Sequence, residues 1–153
     1  MTKSNFDLLP NFKPEEIEAT GAKIGDVKFD TIYKLQCVRT QAKRRFVLEL
    51  NGLTSGTHKS VQHKKGMAVD FELDEKDGPV DFAAHYGIIL LGLAFGFCRV
   101  GLYWNGNRYS LHFDTGPEFG FWSAAMVEKI FNKKKIREWK YFPLFVDPKT
   151  LKV

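Results

Sequence analysis

Arg99-Val-Gly-Leu-Tyr-Trp-Asn-Gly-Asn-Arg-Tyr-Ser-Leu-His-Phe-Asp114 is the stretch that decides how this chain folds. Arg99–Tyr103 reads as a strand and Trp104–Arg108 as a hairpin turn built on an Asn-Gly signal. Tyr109–Asp114 then returns as the partner strand. Side chains alternate along a strand, so Ser110, His112 and Asp114 share one face. Upstream, Met67-Ala-Val-Asp-Phe-Glu-Leu73 is apolar and partly alternating, which predicts a central strand with Asp70 on its functional face. His63 precedes that strand, with Gly66 and Ala68 between it and Asp70.

The remaining elements fall around this centre. Pro14-Glu-Glu16 has the proline and acids of a helix start. Thr31–Arg39 has a partly helical pattern that runs into the basic stretch Lys43-Arg-Arg45, and Phe46–Leu50 reads as a short strand. Asn51-Gly52 and Thr54-Ser-Gly56 supply turn chemistry after it. Val80–Phe95 reads as a largely buried helix with Gly96 as its cap. Beyond Thr115-Gly-Pro117 the pattern predicts a helix around Ser123–Phe131. A basic and aromatic tail follows from Lys133 through Trp139, Tyr141 and Phe145. Helices mixed with antiparallel hairpins argue an α+β fold.

With 153 residues and no linker-like stretch or internal repeat, the chain is expected to be a single domain over 1–153. Hydrophobic residues at 44% and charged residues at 27% exclude a disordered or low-complexity chain. The net charge of +5 suits an acidic partner such as nucleic acid, anionic lipid or bacterial wall polymer, or simply keeps the protein soluble. Cys37 and Cys98 lack metal-binding or redox spacing, and two buried free thiols are expected, with a disulfide as the alternative. No apolar stretch follows the first lysine, and Ile88–Phe97 is too short to span a bilayer. The expectation is a protein made in the cytoplasm without a signal peptide or transmembrane segment.

His63, Asp70 and His112 together carry chemistry. Two imidazoles and a carboxylate are the three protein ligands of an open zinc site, which leaves a fourth position for water. A carboxylate in an apolar strand costs several kcal/mol unless it is paired or coordinates a metal. A metal shared with His63 and His112 meets that demand, and a lysine partner for Asp70 is the competing explanation. His85, on the buried helix, is expected to be structural or merely surface-exposed.

These residues resemble the zinc D-alanyl-D-alanine carboxypeptidase and peptidoglycan endopeptidase family, whose fold is shared with phage endolysin peptidases and hedgehog signalling domains. The likeness includes His63 to Asp70 with Gly66 and Ala68 between, and Leu53-Thr-Ser-Gly56 as the strand-end element. Gly96-Phe97, Val100-Gly-Leu-Tyr103, His112-Phe-Asp-Thr-Gly-Pro117 and Trp122 look like the closing segment of the peptidoglycan-hydrolase branch. Phe12-Lys-Pro-Glu-Glu-Ile17 is similar to its opening helix, so the resemblance covers about residues 12–122.

The resemblance implies a small antiparallel sheet flanked by helices, with one Zn²⁺ held by His63, Asp70 and His112. It also implies cleavage of a peptide bond in the stem or cross-bridge peptides of peptidoglycan. An enzyme of this kind would act as a phage lysis or virion-associated hydrolase, reaching the wall or periplasm after release, and a monomer is expected. Many members carry an acid three residues before the last histidine as general base, and here Tyr109 stands there, with a hydroxyl suited to stabilising an oxyanion. Asp114 is the candidate base or, alternatively, a carboxylate that orients a histidine ligand. Members follow Ser-Gly with an aromatic residue and an arginine. This chain has Ser55-Gly-Thr-His-Lys-Ser60, so Ser55, His58 and Lys59 are the expected substrate contacts. The rival readings are a non-catalytic zinc module of the same fold and a basic nucleic-acid-binding protein, although nothing beyond charge signals nucleic acid.

Overall fold

A computed structural model describes residues 1–55, 60–131, 134–142 and 146–150. The helices are α1 (Pro14–Glu18), α2 (Phe29–Ala42), α3 (Val61–Lys64) and α4 (Phe82–Ala94). The strands are β1 (Phe46–Leu48), β2 (Ala68–Leu73), β3 (Arg99–Trp104), β4 (Tyr109–Asp114), β5 (Gly120–Phe131) and β6 (Lys134–Phe142). One six-stranded sheet runs in the order β1-β2-β4-β3-β5-β6. Every neighbouring pair is antiparallel except β3 and β5. The fold is therefore α+β with a mixed sheet, larger than the small antiparallel sheet expected.

The parallel pair follows from the connection. After the hairpin β3–β4, the segment 115–119 crosses the end of the sheet and lays β5 along the free edge of β3. That edge is what overturns the helix expected around Ser123–Phe131. Ser123, Ala124, Ala125 and Val127 also fit a helical spacing, but all four are buried in a strand paired with β6, and Ser123–Ala125 are paired with β3 as well. Unpaired backbone along β3 would cost more than the modest helix preference of two alanines. The tail from Lys134 is likewise a strand, β6, and Lys133 and Phe145 lie outside the described residues.

The two faces of the sheet are unlike. On one, Phe71, Leu111 and Phe113 pack with Val69, Val100, Leu102 and Phe97 beneath α2 and α4. Phe71 meets Phe113 edge-on at 5.0 Å, and Phe97 lies 4.9 Å from Phe113. α4 starts on the Asp81 side chain, which accepts from the Ala84 N–H, and ends near Gly96 at φ 85°. Cys37 and Cys98 are both free thiols. No helix among the described residues is long and apolar enough to cross a membrane.

The other face carries the polar residues in rows set by register. Asp70 lies opposite His112, His112 opposite Gly101, and Gly101 opposite Trp122. The next row holds Ser110, Tyr103, Ala124 and Tyr141.

Gly92 of α4 faces the Phe113 ring so closely that an added Cβ would overlap it. Gly92→Val is expected to destabilise the fold by roughly 1–3 kcal/mol through overpacking, read as a lower midpoint in urea unfolding at unchanged slope.

Candidate metal centre

His63, Asp70 and His112 each place one ligand atom within 4.8 Å of the others, and both histidines are buried. Three different devices aim them. His63 sits on α3, whose start is capped by the Ser60 hydroxyl accepting from the Gln62 N–H. The His63 Nδ1–H donates to the Leu53 carbonyl at 2.7 Å, which turns Nε2 toward the centre. Asp70 and His112 come from facing positions of β2 and β4.

His112 is oriented from behind. Its Nε2–H donates to Asp114 Oδ2 at 3.1 Å, leaving Nδ1 to face inward. Asp114 is fully buried, and its Oδ1 accepts the Gly116 N–H at 2.9 Å. A carboxylate bonded to the outer nitrogen of a ligand histidine fixes the ring and raises its basicity.

The inward atoms are all electron-rich. His63 Nε2 and His112 Nδ1 are 3.1 Å apart, with Asp70 Oδ1 2.7 Å from His112 Nδ1 and Asp70 Oδ2 3.3 Å from His63 Nε2. Such a cluster demands a cation or added protons at its centre, and the donor set suits a metal that accepts imidazole and carboxylate together. The shifts express the same demand. Burial would raise the Asp70 carboxyl, yet the hydrogen bonds from His112 and His63 outweigh it and hold it well below the usual carboxylate range. Burial would lower His112, yet its bonds to Asp114 and Asp70 push it up to about 9.

Glycines make the approach possible. Gly66, at φ 69°, turns the chain between His63 and Asp70 where a Cβ would overlap the Asp26 carbonyl oxygen. At Gly52 a Cβ would lie 2.7 Å from the Asp70 carbonyl oxygen. The Gly52 carbonyl accepts the Asp70 N–H at 2.7 Å, so this turn backs the ligand strand.

A cavity of about 850 Å³ opens in front of the three ligands. Glu49, Ser110, Arg99 and Glu118 line it together with Tyr103, Trp122, Trp139 and Tyr141. Glu49 was not singled out from the sequence. Its N–H donates to the Asp70 carbonyl at 3.0 Å, which seats it beside the ligand without joining the ligand group. Burial, then the charge of Asp70, push its carboxyl up to about 7 against a hydrogen bond from Ser110. Its signal was the alternation of Phe46–Leu50, which points Glu49 away from the apolar positions on either side.

The other sequence candidates among the described residues are placed apart from the cavity. Tyr109 faces the opposite side of β4, where its hydroxyl donates to Asp147 Oδ1 at 2.5 Å and its ring lies 5.0 Å from His85. Asp114 stands behind His112 and does not line the cavity. Ser55 donates to the Thr20 carbonyl at 2.8 Å, and it too is absent from the lining. His58 and Lys59 lie outside the described residues. His85 is buried with its Nδ1–H on the Asp81 carbonyl, the structural place expected of it.

No family model, curated protein or solved structure matches this chain.

Two outcomes test the centre. Asp114→Asn is expected to weaken binding of a divalent transition ion by about 10–100-fold in a competition titration with a chromophoric chelator. Metal binding must also displace the proton on His112. Apparent affinity should therefore rise about tenfold from about pH 7 to about pH 8 and level off above about 9.

Proposed function

We propose that this chain is a zinc-dependent peptidase that cleaves a peptide bond in the stem or cross-bridge peptides of bacterial peptidoglycan. The observation that carries this reading is a non-ligating carboxylate, Glu49, lining the same cavity as three converging ligand atoms. A metal that served structure alone would need the ligands and not the acid beside an open cleft. The choice of peptidoglycan comes from the resemblance in the His63–Asp70 and His112–Pro117 segments, and with it the carboxypeptidase or endopeptidase type and a role in phage lysis or as a virion-associated hydrolase.

His63, Asp70 and His112 would hold the zinc, and Asp114 keeps the His112 ring turned toward it. Zinc bound there would act as a Lewis acid on the scissile carbonyl and lower the pKa of water. The protein's own part is proton transfer and positioning. A carboxyl held near neutrality both accepts a proton and returns it at physiological pH. Glu49 therefore takes the proton of the attacking water on its carboxylate and delivers it to the leaving amine. Ser110 donates to Glu49 and keeps that carboxylate in the cleft. Tyr109 and Asp114 have no part in the proton transfer, because neither lines the cavity.

The test is to incubate the metal-loaded protein with purified peptidoglycan, with and without a chelator, and to identify the products by mass spectrometry. Chelator-sensitive release of stem-peptide fragments is expected, and the absence of products under every metal condition would sink the reading. Glu49→Gln should lower turnover by about 10²–10⁴-fold while the protein still carries its full complement of metal. A variant that loses metal as well would mark Glu49 as part of the binding group instead.

A further inference from the structure

The wall of the cavity facing the metal ligands is aromatic and comes from three strands: Tyr103 of β3, Trp122 of β5, and Trp139 and Tyr141 of β6. It is built, not incidental. Gly101, between His112 and Trp122 in register, has no side chain, and a Cβ there would lie 2.5 Å from the indole. Trp122 therefore lies over β3, with its ring 5.4 Å from His112. Its Nε1–H donates to the Tyr103 hydroxyl at 2.9 Å. Tyr103 in turn meets Trp139 at 5.1 Å and Tyr141 at 6.4 Å, both edge-on. Ala124, small and buried, separates Tyr103 from Tyr141 in their row.

This platform is fixed by its own ring contacts and still open to solvent, with Tyr141 54% exposed. Its occupant has to offer a flat apolar face and polar edges. On α3, Gln62 also lines the cavity, and its Oε1 is buried with no hydrogen-bond partner. Charge narrows the class. Glu49, Asp70 and Glu118 face the single Arg99 in the lining, and even a bound dication only brings the cavity to neutrality. Arg99 is itself engaged, 3.7 Å from Asp114 and 3.9 Å from Glu118, with its guanidinium over Trp122. Among the described residues the chain's excess positive charge is thus not gathered here, and a polyanion such as nucleic acid finds no cationic track in this lining.

We propose that the wall is a saccharide subsite, on which the pyranose rings of a β-1,4-linked N-acetylhexosamine strand lie against Trp139 and Tyr141. The C–H face of a pyranose carries partial positive charge and sits against the negative face of an aromatic ring. With the Gln62 side chain turned into the cleft, the N-acetyl N–H supplies the donor that its Oε1 lacks. Placing the sugar and the scissile peptide in one substrate rests on the peptidase reading above. The binding of sugar does not. Substrates still attached to glycan would then be preferred to free peptides of the same sequence.

The test uses the full chain stripped of metal, so that it is independent of catalysis. The probes are N-acetylglucosamine tetramer, a free stem peptide and a single-stranded oligonucleotide, with binding followed by tryptophan fluorescence and amide chemical shifts. Saturable binding of the tetramer is expected, weakened about fivefold or more in Trp139→Ala. Tyr141→Ala, at a more exposed position on the same strand, is the second variant, and unchanged thermal unfolding certifies each as folded. No saturable sugar binding overturns the proposal, as does sugar binding that neither variant weakens. Binding of the peptide or the oligonucleotide in place of the sugar overturns it too. Failure of the peptidase reading shows instead as sugar binding without peptide products from peptidoglycan.

Discussion

Two imidazole nitrogens 3.1 Å apart, with a carboxylate against both, cannot stand together without positive charge between them. The surrounding structure exists to hold that unfavourable cluster in place. The Leu53 carbonyl and the Asp114 carboxylate each take the outer proton of one ring, so neither histidine can turn its lone pair away. Gly52, Gly66 and Gly101 remove side chains where backbone or indole must come close. The energy that permits this comes from the other face of the sheet, where the phenylalanine-rich core needs no polar compromise.

That division of labour explains why the candidate ligands were legible in the sequence and Glu49 was not. Asp70 and His112 stand out because each is a polar residue in an otherwise apolar strand, and the period of two fixes their face. His63 follows from the short interval to Asp70 through Gly66. Asp114 was legible as one of two things, and only its place behind His112 decides between them. Glu49 escaped because alternation along Phe46–Leu50 gives its face and not its neighbours, and an acid on the polar face of a short strand reads as solvated. What binds it to the site is a backbone contact with a residue far along the chain, and no local pattern encodes such a contact.

The hairpin β3–β4, the helix α4 and the turn at Gly96 were readable for local reasons: Asn-Gly, an apolar run and a left-handed glycine. β5 was not, because its alanines fit either period and the free edge of β3 made the choice. Tyr109 shows the complementary error. Its sequence interval from His112 suggested a shared site, but three residues along a strand is an odd step and puts it on the far face.

α3 is only four residues long, too short to persist on its own. It is held by its cap, by the Leu53 contact of His63 and by whatever occupies the centre. The same turn carries Gln62, which lines the cleft. An ion held through His63 would therefore also order α3 and, with Gln62, one side of the cleft. Ion occupancy and ligand recognition would then be two ends of one thermodynamic linkage, in which each tightens the other by the same factor.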